Sequence, residues 1–131
     1  MRLPSLLPAA LAAVASIAAC APQLVDVRMG VPRAARAPDC DLTVVSATDM
    51  ATLAKYDQIG VVNLSNAEAG TDPLAPEVRA IVRPRACAMG GEAISVMASG
   101  DITARQSFRT TAYAAYLVWA RKSAAGAPQK F

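Results

Sequence analysis

The spacing of apolar residues changes character once within residues 76–99, PEVRAIVRPRACAMGGEAISVMAS. Val78, Ile81, Val82, Ala86 and Met89 recur at three- and four-residue intervals, which places them on one face of a helix. Beyond Gly90 and Gly91 the pattern becomes alternation, with Ile94, Val96 and Ala98 against Ser95, Met97 and Ser99, the period of a strand. The glycines separate the two patterns because glycine readily takes the left-handed backbone that ends a helix. The stretch therefore predicts a helix, a glycine corner and a buried strand. Pro84 falls inside the helix, where it removes one backbone hydrogen bond and crowds the carbonyl four residues back, so a kink or break is expected.

The rest of the chain supplies elements to pack around that corner. Residues 41–47, DLTVVSA, are β-branched and predict a first strand. Residues 48–55 space Met50, Leu53 and Ala54 well enough for a single helical turn. Residues 56–65, YDQIGVVNLS, predict a second strand, with Ile59, Val61 and Asn63 opposing Gly60, Val62 and Leu64. Residues 66–73 are loop by composition, and Glu77 suits the first turn of the helix that follows. After a polar connection at 100–106, the last strand covers 109–121. It alternates Tyr113, Ala115, Leu117 and Trp119 with Ala112, Ala114, Tyr116 and Val118, apolar on both sides as in a central strand. The expected fold class is α+β: a β-β-α-β-β domain over residues 39–122, a four-stranded sheet with one main helix on one face. Ile59, Val82, Val96 and Leu117 are expected in the core between them.

What precedes the domain reads as an export segment. Residues 1–19 carry one positive charge, Arg2, then an apolar run and small residues, the layout of a secretory signal peptide. That run is alanine-rich and broken by Pro4 and Pro8, which argues against a membrane-spanning anchor. Its end, Ile17-Ala18-Ala19-Cys20, resembles a bacterial lipobox. Such a site is cut before the cysteine, whose thiol carries a diacylglycerol. Cys20 is thus the expected lipid attachment. Ala21, where aspartate would signal inner-membrane retention, favours the outer membrane. Residues 20–38 are expected as a flexible tether, and 123–131 as a disordered tail.

Composition and charge mostly exclude. A chain of 131 residues holds one domain at most, and its 54% apolar fraction is inflated by alanine in the first twenty positions. The net charge is +3 with scattered arginines, which is no footprint for nucleic acid. There is no histidine, so the usual general base and the commonest transition-metal ligand are both missing. Acidic pairs such as Asp39 and Asp41, or Asp49 and Asp57, read as exposed turn residues. Gly90-Gly91 ends a helix and lacks the Lys-Ser/Thr of a phosphate loop. Met50, Met89 and Met97 read as core filler rather than metal ligands. No enzyme, cofactor or metal site is expected.

Two motifs carry a resemblance. Tyr56-Asp57-Gln58-Ile59-Gly60 and Ala86-Cys87-Ala88-Met89-Gly90-Gly91-Glu92-Ala93-Ile94 resemble the Y-x-x-I-G strand and helix-to-strand corner of a broad group of small bacterial domains. That group includes the Rcs stress-sensor outer-membrane lipoprotein, small domains assigned to heavy-metal binding, and many uncharacterised lipoproteins. The Ala-Cys-x-x-Gly-Gly-x-Ala version, with a further cysteine before the first strand, is most similar to those uncharacterised lipoproteins. The resemblance covers about half the chain and departs at Glu92 and Pro84. It implies an exported or lipid-anchored α/β module that senses or binds a partner, and no shared activity.

Cysteine arithmetic adds one covalent expectation. Of three cysteines, lipidation would consume Cys20, leaving Cys40 and Cys87 as a pair in an oxidising compartment. They can bridge if the first strand runs parallel to, and beside, the strand starting at Ala93. On the helical wheel Cys87 points away from the apolar face, and two reduced thiols are the alternative. The expected function is a lipid-anchored envelope protein carrying a binding or sensor module, on the periplasmic or outer surface of the outer membrane. It would touch the membrane through its lipid and another envelope protein through Tyr113, Tyr116 and Trp119. A thiol-redox or metal-handling periplasmic protein is the second reading.

Overall fold

The computed structural model describes residues 21–122. In chain order these form β1 (Gln23–Arg28), β2 (Thr43–Val44), α1 (Met50–Leu53), β3 (Tyr56–Glu68), α2 (Pro76–Ala88), β4 (Ala93–Thr103) and β5 (Thr110–Arg121). The expected signal peptide 1–19, Cys20 and the tail 123–131 lie outside the described residues. The strands make one sheet in the order β1-β3-β5-β4-β2, antiparallel throughout except for the parallel β4–β2 pair. The α+β class holds, and β5 is central as its two apolar rows require.

The sheet has five strands where four were expected. Gln23–Arg28, placed by sequence in a flexible tether, pairs along β3 from Gln23↔Ser65 to Arg28↔Gly60. Leu24, Val25 and Val27 suit an extended stretch, but no turn signals bound it as a strand. Leu24 packs against the main core, and Asp26 accepts a 2.7 Å ion pair from Arg85 in the last turn of α2. Residues 29–42 then cross from one edge of the sheet to the other, from β1 to β2. This crossing is also fastened: Met29 N donates to Ile59 O at 2.8 Å, and Arg36 N donates to Cys87 O at 2.8 Å.

α2 lies on one face and runs through Pro84 without the expected break. Pro84 and Ala80 are both exposed, so the carbonyl that loses its partner is on the water side of the helix. The helix starts with Pro76 in its first turn, where a missing N–H costs nothing. It stops at a Schellman motif: Gly90, at φ +86°, donates to Cys87 O, and Gly91 N donates to Ala86 O. A Cβ on Gly91 would lie 2.7 Å from Val118 Cγ1, so only glycine lets the corner close onto β5. α1 is the single turn expected, capped by Asp49, whose carboxyl is held below its ordinary pKa by hydrogen bonds from the Thr52 hydroxyl and backbone N–H.

Under α2 the core gathers Val62, Leu64, Val78, Val82, Ala86, Met89, Ile94, Tyr116 and Val118. Ile81, expected on the buried face, is 38% exposed, whereas Cys87 is fully buried. A second, smaller cluster of Val45, Leu53 and Ala93, with Tyr56 and Trp119 packed against it, joins α1 to the opposite face of the sheet. Met89 fills the core as expected, but Met50 and Met97 are 70% and 55% exposed.

Two strand irregularities rearrange the expected faces. The β3–β5 register shifts between Gln58 and Gly60, so Ile59 is inserted at a bulge and joins the core cluster that holds Val62 and Leu64. The β4–β5 register shifts between Val96 and Ala98, so Ala98 pairs with Ala115 rather than continuing the Ile94 and Val96 row. On β5 the row facing α2 is Ala112, Ala114, Tyr116, Val118 and Ala120. Leu117 lies on the other row, opposite Ser95 and Val61. Its expected place in the helix–sheet core is therefore wrong, while those of Ile59 and Val82 hold and Val96 packs partly buried against the same core.

Candidate functional site

Cys40 and Cys87 form a disulfide, with Cα atoms 5.9 Å apart. The condition named from sequence is met: β2 runs parallel to β4, with Thr43↔Ala93 and Val44↔Ile94. That places the residues before β2 beside the last turn of α2. Cys87 points away from the sheet core and is nonetheless fully buried, because the crossing segment lies over it. Arg36 holds that segment down, donating from Nη1 to the carbonyls of Gly91 and Asp41 and from its own N–H to Cys87 O. A Cβ on Gly90 would meet Arg33 Cβ at 2.6 Å, which shows how closely the crossing segment rides over the corner. Arg33 pairs with Asp57 at 3.1 Å and donates to Arg121 O. The corner is a covalent and ionic clamp, without an accessible thiol.

The three aromatic residues expected to share a partner surface are not brought together. Tyr116 is 1% exposed beneath α2, and its hydroxyl donates to Pro73 O at 2.6 Å. Burial, with Asp72 nearby as the smaller cause, raises its pKa to about 12. Tyr113 and Trp119 occupy the opposite row of β5 and are half-buried. The Trp119 ring N–H donates at 3.0 Å to Ser95 Oγ, a buried hydroxyl that the strand pattern alone did not mark as a partner. Alternation on β5 already separated Tyr116 from the other two, and that signal argued against a single cluster.

Among the described residues, the face away from α2 is covered at one end only, where Leu53 of α1 packs near Ala93 and Trp119. Elsewhere it presents Val25 and Val27 from β1, 60% and 51% exposed, with half-buried Val61, Leu117 and Tyr113. The register puts these on one surface: Val27↔Val61, Val61↔Leu117, and Val25↔Asn63. Val25 and Val27 were missed because their strand was read as linker. Phe108, 85% exposed in the β4–β5 connection, was missed for the same reason, since the surrounding residues are polar.

The cavities are modest. A cleft of about 50 Å³ sits between α2 and β2, floored by Val82, Ile94 and Tyr116 and rimmed by Arg79 and Arg83. Ligand pockets run to roughly 300–1,000 Å³, so this one accommodates little beyond water. A hollow of about 530 Å³ beside residues 29–33 is larger, but its charged groups, Arg33 and Asp57, already satisfy each other. Among the described residues no three His, Cys, Asp or Glu side chains converge as metal ligands.

No protein family matches the chain, and no curated protein matches its sequence. Among solved structures it is similar to the crystal structure of a Francisella virulence factor, FvfA, at 11% identity and a TM-score of 0.48. That match covers 75% of this chain and 98% of the other, and it is too distant to carry an argument about function.

Proposed function

We propose that the chain is a lipid-anchored protein of the bacterial envelope, attached through Cys20 to the outer membrane, whose α+β domain is a binding module for another envelope protein. The allocation of its three cysteines carries this reading. Cys40 and Cys87 are engaged with each other, as befits an exported domain. Cys20 is left at the end of an apolar run, where a thiol has a use as a lipid carrier. In this reading the protein-binding surface is the half-open sheet face of Val25, Val27, Val61, Tyr113 and Leu117. A broad apolar strand surface fits a protein better than a small molecule, which needs a concavity. The thiol-redox alternative is weakened by the full burial of Cys87, which leaves only the partly buried Cys40 sulfur for an attacking thiolate to reach.

Metabolic labelling with an alkynyl fatty acid tests the anchor. Label is expected on the wild-type chain and absent from Cys20→Ser, with diacylglycerol found on the N-terminal peptide by mass spectrometry. An unlabelled wild-type protein with a free Cys20 thiol overturns the reading.

A further inference from the structure

The β4–β5 hairpin ends in residues 104–109, Ala-Arg-Gln-Ser-Phe-Arg. The turn is closed by Phe108 N donating to Ala104 O at 2.8 Å and Ala104 N donating to Arg109 O at 2.9 Å. Phe108 adopts φ +52°, a left-handed conformation that disfavours a bulky side chain and suits glycine or asparagine. It is also 85% exposed, the most exposed large apolar side chain described. The fold gains nothing from burying Phe108 and bears the strain of holding it. A strained, solvent-facing aromatic at a hairpin tip is therefore accounted for by something outside the domain.

Its position says what that is. β1 enters the sheet at Gln23↔Ser65, the end at which β3 finishes and β5 begins. Pro22 shares a hollow of about 440 Å³ with Glu68, Arg109 and Thr110. The hairpin tip and the start of the described chain thus lie at the same end of the sheet. Only Ala21 and Pro22 separate Cys20 from β1, and a chain reaches at most ~3.6 Å per residue, so Cys20 is within about 11 Å of Gln23. A lipid on Cys20 would leave the domain no long tether. If Cys20 carries a lipid, this end of the sheet is held against the headgroups, and the clamped corner points away.

The geometry points to the hairpin tip as a second membrane contact: Phe108 inserts at the headgroup–acyl boundary, with Arg105 at the level of the phosphates. This rests on the lipid-anchor reading above. Arginine suits the role because its aliphatic stem lies along apolar surface while the guanidinium stays with phosphate. Ile102, 56% exposed and two residues before the turn, extends the apolar side of the tip. A diacylglycerol holds the chain at the membrane but leaves the domain free to turn about it, and a second contact fixes its orientation. Glu68 and Asp101 also lie at this end, and Asp101 accepts a hydrogen bond from Gly70 N at 3.0 Å. The contact is therefore chiefly insertion of the aromatic ring, with little dependence on salt.

The test uses the full acylated chain in vesicles of phosphatidylethanolamine and phosphatidylglycerol, with bromine on the acyl chains as a short-range quencher. Phe108→Trp and, as a control on the outer face of α2, Arg83→Trp are each made in a Trp119→Phe background. At least a twofold loss of emission is expected for the tryptophan at 108, and none for that at 83. Equal quenching at both positions, or none at 108, overturns the proposal. So does a tip that is shielded in cells by a protein cross-link but unquenched by lipid. Mass spectrometry of the same preparation reports acylation separately. An acylated chain with an unquenched tip refutes the hairpin contact alone, whereas a chain without diacylglycerol refutes the anchor beneath it.

Discussion

Leu64 and Leu117 are the same residue type on neighbouring strands, yet they live in different surroundings. Leu64, on β3, is 3% exposed beneath α2. Leu117, on β5, is half-buried on the opposite face, level with Val61 and Ser95. One face is closed by a helix that is bolted down at its C-terminus by a disulfide, an Arg85–Asp26 ion pair and the contacts of Arg36. The other, among the described residues, is closed only where Leu53 reaches Ala93 and Trp119. The covered face holds most of the core, and the half-open face adds only a small cluster to it. Packing is divided unequally between the two sides of one sheet.

Removing the bolt should have the largest effect on that division. The bridge spans a sequence separation of 47, which chain entropy values at about 4 kcal/mol. Cys40→Ala with Cys87→Ala is expected to lower the unfolding free energy by that order in urea titrations, a large share of a small domain's stability. A wild-type midpoint would mean that α2 is held by packing alone.

A smaller effect is expected from the two leucines themselves. Leu64→Ala should cost about 3 kcal/mol, because it opens a cavity under the helix. Leu117→Ala should cost about 1 kcal/mol, since its side chain is only partly buried and no helix closes over it. Equal losses in chemical denaturation would show that the second face is as closed as the first.

The smallest effect depends on pH and belongs to the covered face. Tyr116 has its pKa raised from 10.0 to about 12 by burial, so folding favours its neutral form. The stabilisation is complete below about pH 10, where the unfolded chain is also protonated, and it is lost as pH rises towards 12. Tyr116→Phe should lose about 1 kcal/mol at neutral pH, with its bond to Pro73 O, and the gap to wild type should narrow above pH 10. A gap that stays constant to pH 11.5 would place the phenol in water.

Much of this fold was legible because it is local. The helix, its glycine stop and the strand beyond follow from spacings of one to four residues and from the left-handed backbone at Gly90. The central position of β5 followed from two apolar rows, and the Cys40–Cys87 pair from a count of thiols. The candidate surface was less legible. Tyr113, Tyr116 and Trp119 share a strand and a chemical type, but a strand sends Tyr116 to the face opposite the other two.

The sequence by itself determined the α+β class and the helix-to-strand corner and made Cys40 and Cys87 candidates for a bridge, since periodicity, glycine conformation and cysteine number are properties of short stretches or of simple counts. Only the tertiary structure decided which face α2 covers and what lies beyond the expected domain. Both rows of β5 are apolar, so burial on one side rather than the other depends on where α2 lands and on the bulges near Ile59 and Met97. β1 is a strand because β3 offers it an unpaired backbone edge, and Val25 meets Asn63 only once the chain has folded back. A hydrogen-bonding partner remote in sequence leaves no period in the residues that use it, which is why a six-residue edge strand reads as a linker until the sheet is built.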